Sequence, residues 1–282
     1  MGGGAIVKSR QKLKIAIAVL LGLNLLISAL VVVGLFETRN AHMQRAQASV
    51  ENLSLALKKK IVDVYDTTDV VLSFLANDWL HSSLGQRQTL SKQPLAIAHL
   101  DFISHLGVTD SHGKLLYSTK GSNPLLSGIG DNQVLTPELL KEILQFTKRN
   151  LYISRPQKKE SKDSSGEWFL VVAKRMTNER GEALGFSWGT LPLEYFRKIF
   201  IELKLGENGS IGFRDEELRL IVRHPDTGQT TQIGATRIAD DFKEALFRNP
   251  EVGVYFAGAT SIDGVKRIHS YRLSHEYQFY IN

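Results

Sequence analysis

The feature that most constrains this chain is an uncharged apolar run near its amino terminus. Residues 15–36 read IAIAVLLGLNLLISALVVVGLF, and only Asn24 and Ser28 are polar among these 22 residues. A hydrocarbon core about 30 Å thick needs about 20 helical residues to cross it. We therefore predict a transmembrane helix over residues 15–36. The alternatives are a buried core helix and a cleaved signal peptide, although the apolar part of a signal peptide runs only about 7–15 residues.

Basic residues precede the apolar run without any acidic residue among them, and they are Lys8, Arg10, Lys12 and Lys14. The positive-inside rule predicts that residues 1–14 are cytoplasmic. Residues 37–282 are then expected outside a bacterial inner membrane, in the periplasm. Because these four residues supply most of the net charge of +6, the basicity is a terminal feature, and we predict no nucleic-acid partner.

The composition also bears on chemistry. The chain has no cysteine, which excludes disulfides, thiolate zinc sites and cysteine nucleophiles. Its eight histidines do not fall into the H-E-x-x-H motif or another ligand spacing. We predict no metal, no cofactor and no catalytic centre.

A long stretch without proline or glycine follows the apolar run, over residues 37–84. Apolar residues recur in it at helical spacings of three, four and seven from Val50 to Leu75, which predicts one helical face. A helix of this length is unusual inside a globular domain. We predict a stalk helix that pairs with the same helix of a second chain, forming a homodimer.

Beyond Phe102 the pattern changes to short strands separated by glycine-containing turns. A hairpin, a helix and three strands occur twice in that order. The predicted strands are Phe102–Val108, Lys114–Ser118, Leu151–Arg155, Trp168–Arg175 and Ala183–Leu191, then Ser210–Arg214, Leu218–His224, Gly253–Gly258, Val265–Leu273 and Gln278–Asn282. The predicted helices begin at Pro137, capped by Thr136, at Leu193 and at Ile238. The predicted fold is α+β, with two tandem units that each hold a five-stranded antiparallel sheet.

This arrangement resembles the double Cache domain, a tandem PAS-like sensor outside the membrane. The phrases that carry the resemblance are LGVTDSHGKLLYST from Leu106, LEYF from Leu193 and IDGVKRIHSYR from Ile262. The resemblance implies a membrane-distal unit over residues 85–195 that binds a small molecule, and a membrane-proximal unit over residues 196–282. It also implies a cytoplasmic output domain, a diguanylate cyclase or a histidine kinase. Since the chain stops at QFYIN, we expect the natural protein to continue into a second span and that output domain.

Candidate ligand-binding residues lie in the membrane-distal unit. Arg155 and Arg175 are donors for a small organic acid, since a guanidinium pairs with a carboxylate through two hydrogen bonds. Trp168 and Trp188 would form an apolar wall, and Asp110 would meet an amine. Each of these residues is also compatible with an ordinary place in a strand or turn. The amino-acid-binding signature of the family is not matched in this sequence.

Two further functions remain as alternatives. Residues 185–189, GFSWG, match the G-x-S-x-G pattern of hydrolases, in which Ser187 would be the nucleophile of a membrane-anchored periplasmic serine hydrolase. No alternating parallel β–α pattern precedes this segment. The other alternative is a domain that binds a protein partner and no small molecule.

Overall fold

The structure is a computed structural model. It describes residues 3–81, 100–118, 135–146, 150–158, 166–203, 205–206, 208–226, 232–258 and 264–282, with side chains from residue 20 onward. The chain divides into two compact units, residues 1–50 and residues 51–282. The second compact unit contains two antiparallel β-sheets.

The first helix, α1, runs from Gly3 to His81. No proline or glycine follows Gly34 within it, so nothing in the sequence interrupts the backbone hydrogen bonds of the helix. The predicted stalk over residues 37–84 is therefore helical as far as His81, and its last three residues lie outside the described ones. α1 contains a segment long and apolar enough to cross a membrane, with a mean hydropathy of 2.2 and no residue buried inside the protein.

The first sheet is formed by the strands between residues 105 and 192. They are β1 (His105–Asp110), β2 (Leu115–Ser118), β3 (Leu151–Ile153), β4 (Gln157–Lys158), β5 (Trp168–Thr177) and β6 (Ala183–Pro192). Their order is β2-β1-β6-β5-β3, with β4 also paired to β5. Helix α2 (Pro137–Gln145) begins at the predicted cap, where the Thr136 hydroxyl accepts a hydrogen bond from the Leu139 amide.

The second sheet repeats this topology. After helix α3 (Leu193–Ile201) come β7 (Ile211–Asp215), β8 (Leu220–His224), helix α4 (Asp240–Arg248), β9 (Val252–Ala257), β10 (Arg267–Ser274) and β11 (Phe279–Ile281). The order β8-β7-β11-β10-β9 matches that of the first sheet strand for strand. The predicted α+β fold with two tandem antiparallel sheets is confirmed.

The hairpins that open the two sheets turn in the same way. Asp110 Oδ1 accepts hydrogen bonds from the His112 and Lys114 amides at 2.9 and 2.8 Å. In the second hairpin, Asp215 Oδ1 accepts hydrogen bonds from the Glu217 and Arg219 amides at 3.0 and 2.8 Å. The turn residues Gly113 and Leu218 have φ of 82° and 64°. The repeat therefore extends to side-chain contacts, although the turn sequences differ.

The inner faces of both sheets pack on α1 and α3. Their shared core includes Tyr65 of α1, Phe196 of α3, and Phe213 and Phe279 of the second sheet. The rings of Phe196 and Phe213 lie 5.2 Å apart, and those of Phe213 and Phe279 lie 5.3 Å apart. The outer face of the first sheet is covered by α2, and that of the second sheet by α4.

Several strand bounds differ from the predicted ones. β1 begins at His105 and not at Phe102, because the Ile103 amide donates to the Leu100 carbonyl in a turn. Between the predicted strands that end at Arg155 and begin at Trp168, residues 157 and 158 form the additional strand β4, which pairs with Phe169 and Trp168. The first sheet therefore has six strands where five are predicted.

Candidate functional site

A cavity of about 440 Å³ lies between α2 and the outer face of the first sheet. We call it the first cavity. Its lining residues are Ile143, Phe146, Asn150, Tyr152, Ala173, Lys174, Arg175, Thr177 and Phe186. Small-molecule pockets are usually about 300–1,000 Å³ and mostly apolar, with a few polar groups that orient the ligand. The volume of the first cavity falls within this range, and its lining combines aromatic and aliphatic side chains with polar and basic ones.

Arg175 stands where α2 ends at the edge of the first cavity. Its Nη2 donates to the Leu144 carbonyl at 2.9 Å and, more weakly, to the Phe146 carbonyl at 3.5 Å. The last carbonyls of a helix have no partner within the helix and carry partial negative charge, which a guanidinium compensates. Arg175 therefore holds α2 against the sheet and brings a positive charge to the cavity.

Tyr152 is a lining residue that the sequence analysis missed. Its hydroxyl donates to Glu142 Oε2 at 2.7 Å, and its ring meets that of Phe146 edge-on at 5.3 Å. Burial, together with the hydrogen bond to Glu142, raises the pKa of Tyr152. Its hydroxyl is thus neutral at physiological pH. Side-chain alternation along the strand that begins at Leu151 is enough to place Tyr152 on the outer face of the sheet. The sequence does not show that the end of α2 lies beside Tyr152.

Trp188 lies on the same outer face, because its neighbour across the strands is Ala173. Its side chain is only 2% exposed and belongs to the core under α2. A Cβ atom on Gly107 would lie 2.4 Å from two ring carbons of Trp188, so the indole lies against the bare glycine backbone. Within the described residues, Trp188 Nε1 has no hydrogen-bond partner.

The other predicted ligand-binding residues lie elsewhere. Trp168 packs towards the inner-face core, with Lys158 Nζ 5.9 Å from its ring centre. Since successive strand residues point to opposite faces, Trp168 and Arg175 do not share a cavity. Arg155 lines a neighbouring cleft of about 170 Å³, which shares Phe146 and Tyr152 with the first cavity. Asp110 holds the β1–β2 turn. The structure therefore brings Arg175 and Trp188 to one sheet face, places Arg155 in the adjacent cleft, and separates Trp168 and Asp110 from them.

Ser187 does not form a nucleophile elbow. It lies within β6, paired with Lys174 on one side and Val108 on the other. It is fully buried, and among the described residues its hydroxyl has no hydrogen-bond partner. An elbow requires the serine on a sharp, exposed strand-to-helix turn. In this chain β6 continues to Pro192 before α3 begins. The G-x-S-x-G pattern therefore lies inside a strand and not at a strand-to-helix turn.

No group of three or more His, Cys, Asp or Glu side chains that could hold a metal ion occurs in the described part of the chain. The described lining of the first cavity consists of aromatic, aliphatic, neutral polar and basic side chains, whereas the cleft beside Arg155 is also lined by Glu142, Asp215, Glu216 and Glu217. The donor set of the first cavity suits an anionic organic molecule better than a cation.

No model of a known protein family matches the chain, and no curated protein matches it either. Solved structures do match. The extracellular domain of rpHK1S-Z16, a protein assigned as a histidine kinase, is similar with a TM-score of 0.65 and 23% identity, over 85% of this chain and 93% of that one. The periplasmic sensory domain of the Campylobacter jejuni chemoreceptor Tlp1 has a TM-score of 0.62 and 8% identity, over 85% and 94%.

The ligand-binding domain of the Pseudomonas fluorescens chemoreceptor CtaA, in complex with L-isoleucine, has a TM-score of 0.57 and 13% identity. The match covers 87% of this chain and 94% of that one. Since all three identities are below a quarter, the likeness establishes the fold. The chain has the fold of these extracytoplasmic sensory domains.

Proposed function

We propose that this chain, which has the double Cache fold, is the extracytoplasmic ligand-sensing module of a transmembrane signalling receptor. The observation that carries the proposal is the first cavity, which lies between α2 and the first sheet of a tandem sensor fold, with Arg175 at its edge. The resemblance in the sequence assigns the ligand to the same unit, over residues 85–195.

A small organic acid is the ligand class that fits this cavity. The lining residues include Arg175 and Asn150 as donors and three aromatic side chains, and none of the lining residues that the structure describes is Asp or Glu. A carboxylate would gain charge-assisted hydrogen bonds from the guanidinium. An ammonium group would find no carboxylate among the lining residues. L-Isoleucine, which is bound in the structure of the similar chemoreceptor CtaA, carries both a carboxylate and an ammonium group, so that comparison agrees with a carboxylate ligand but does not favour an organic acid over an amino acid.

β5 offers a route from the cavity to α1. Arg175 contacts α2 on the outer face, and the preceding residue, Lys174, contacts Asp69 of α1 through both carboxylate oxygens at 2.7 and 3.0 Å. A ligand that binds one arrangement of α2 and β5 better than another shifts the population towards that arrangement. We propose that displacements of α1 of about 1–2 Å carry the signal to a histidine kinase or diguanylate cyclase domain.

The membrane arrangement is part of the proposal. The apolar segment of α1 would anchor the protein in a bacterial inner membrane, with residues 1–14 in the cytoplasm because of their basic side chains. Residues 37–282 would lie in the periplasm. Val70 and Phe74 support a homodimer through the stalk helix, because they stand one turn apart on α1 and are 67% and 60% exposed.

A thermal-unfolding screen of the full chain in a non-ionic detergent tests the ligand class. Organic acids, amino acids and amines are compared, and a ligand at 100 times its dissociation constant should raise the melting temperature by several degrees. Arg175→Met should abolish the shift caused by an organic acid. Arg180→Met, in the exposed β5–β6 turn, is the matched control and should keep it.

Other outcomes would redirect the proposal. A shift that persists in Arg175→Met would place the ligand outside the first cavity. If no compound shifts the melting temperature, the chain would instead be a partner-binding or ligand-free domain of the same fold.

A further inference from the structure

A second cavity lies between α4 and the outer face of the second sheet. α4 and the second sheet repeat the arrangement of α2 and the first sheet, but this cavity lies at the beginning of its helix, beside Ala239 and Phe242, whereas the first cavity lies at the end of α2. Its volume is about 30 Å³. Since one water needs about 10–15 Å³ by such a measure, the space suits only a very small guest.

Arg214 brings a buried positive charge to this cavity. It belongs to β7 and is only 5% exposed. Its Nη1 donates to the Leu218 and Ala235 carbonyls at 2.7 and 3.4 Å, and Nη2 donates to the Arg237 carbonyl at 3.3 Å. These partners are all uncharged, and Nε is buried without a hydrogen-bond partner among the described residues. A buried guanidinium without a carboxylate partner is costly unless a ligand compensates it.

More positive charge surrounds Arg214. Arg223 and Arg267 line the same cavity together with His269, and no Asp or Glu is among the lining residues that the structure describes. The adjacent Asp215 forms its ion pair with Arg219 at 2.7 Å, at the β7–β8 turn. Asp241 of α4 accepts a hydrogen bond from the Gly258 amide. Burial, and then the charge of Arg223, lower the pKa of Arg214 to about 10, so it stays charged at neutral pH.

An aromatic stack forms the opposite wall. The Tyr255 ring is parallel to the Phe242 ring at 5.3 Å and to the His269 ring at 4.9 Å. Burial raises the pKa of Tyr255, so its hydroxyl remains neutral. The stacked rings therefore limit the size of any guest.

We infer that the second cavity is a binding site for a compact monovalent anion, of the size of chloride or formate. The anion would accept a hydrogen bond from Arg214 Nε. Its negative charge would offset the repulsion between the guanidinium groups of Arg214 and Arg223. This site is distinct from the first cavity, and it does not depend on the function proposed for that cavity. The chain would then respond to two solutes, one in each repeat.

The test is anion replacement with the full chain in a non-ionic detergent. Sodium gluconate, whose anion is too large for the cavity, is replaced by sodium chloride or sodium formate at constant sodium concentration. Far-UV circular dichroism records the melting temperature, which should rise by several degrees in at least one of the two compact anions. The anion that gives the larger shift distinguishes a halide site from a carboxylate site.

Three variants locate the effect. Arg214→Met should abolish the shift. Arg248 is an exposed residue of α4 that pairs with the exposed Glu244, so Arg248→Met should keep the shift, and so should Arg175→Met. If Arg214→Met does not fold, Arg223→Met replaces it, because it leaves the carbonyl contacts of Arg214 in place. It should weaken anion binding by about tenfold, the loss expected for one charged hydrogen bond.

The inference is overturned if the wild type shows no shift, or if the shift persists unchanged in Arg214→Met or Arg223→Met. A shift that disappears only in Arg175→Met would also overturn it. That last result would assign the compact anion to the first cavity and leave the function proposed for that cavity intact.

Discussion

Asp69 of α1 and Lys174 of β5, 105 residues apart in the sequence, form an ion pair in which Lys174 Nζ lies 2.7 Å from Asp69 Oδ1. The two side chains are 30% and 23% exposed. The next residue on β5, Arg175, contacts α2 on the other side of the sheet. This single strand therefore links the helix that covers the first cavity to the long helix α1.

Asp69→Asn should lower the free energy of unfolding by about 1 kcal/mol, because the pair is only half-buried and water screens it. Asp63→Asn, an exposed acid two turns earlier on α1, should change it by less than about 0.5 kcal/mol. Urea unfolding measures both. Molar salt should reduce the difference between Asp69→Asn and wild type. If the two variants behave alike, the contact does not stabilise the fold.

The contact between Gly107 and Trp188 gives a prediction about packing. Gly107→Ala should destabilise the protein by about 1–3 kcal/mol, since its Cβ would overlap the indole and neither strand can move freely. Gly258→Ala is the control, because the nearest atom to its Cβ lies 3.9 Å away, and it should be close to neutral. Near-ultraviolet circular dichroism of the tryptophans should change in the first variant alone. An unaltered spectrum in Gly107→Ala would contradict this packing.

The equivalent turns at Asp110 and Asp215 should respond in parallel. Asp110→Ala removes two hydrogen bonds from backbone amides to a carboxylate and should cost about 1–3 kcal/mol. Asp110→Asn keeps the accepting oxygen and should cost less than about 1 kcal/mol. Asp215→Ala should cost more than Asp110→Ala, because it also breaks the ion pair with Arg219. Equal stability of Asp110→Ala and Asp110→Asn would show that Asp110 does not hold its turn.

Tyr277 makes stability depend on alkaline pH. Burial and the hydrogen bond that its hydroxyl donates to Asp66 of α1 raise its pKa, so the folded protein favours the neutral phenol. The contribution of Tyr277 to stability is complete below pH about 10, the ordinary tyrosine pKa, and falls as the pH rises above that value. Urea unfolding between neutral pH and pH about 11 should show a less steep loss of stability for Tyr277→Phe than for wild type. If the stability of Tyr277→Phe and of wild type fell in parallel with pH, the raised pKa of Tyr277 would be contradicted.

Ser187 should be unreactive. Because its hydroxyl is fully buried within β6, a fluorophosphonate probe should not label the folded protein. Ser187→Ala removes a buried hydroxyl that has no described partner, so the free energy of unfolding should change by less than about 1 kcal/mol. Labelling of the wild type that disappears in Ser187→Ala would instead favour the hydrolase function.

Much of the fold was predictable because the signals are local. Thr136 and Pro137 marked the start of α2, the absence of proline and glycine after residue 37 predicted a long α1, and two-residue alternation separated Trp168 from Arg175. Strand ends were less certain, as at β1 and β4, since they depend on partner strands. The candidate site was predicted in part. Arg175 and Trp188 share a face, but Tyr152 was missed because the end of α2 lies beside it only in three dimensions.

By itself, the sequence determined the apolar segment, the order of the helices and strands, and their repetition, because each follows from periodicity, capping and turn residues within a few positions. The tertiary structure alone decided which side chains meet. Arg214 resembles any arginine in a strand, yet the pairing of β7 with β8 and β11 and the cover of α4 bury it beside Arg223. Burial beside a second guanidinium raises the free-energy cost of the charge on Arg214. This environment arises from contacts between residues that are distant in the sequence.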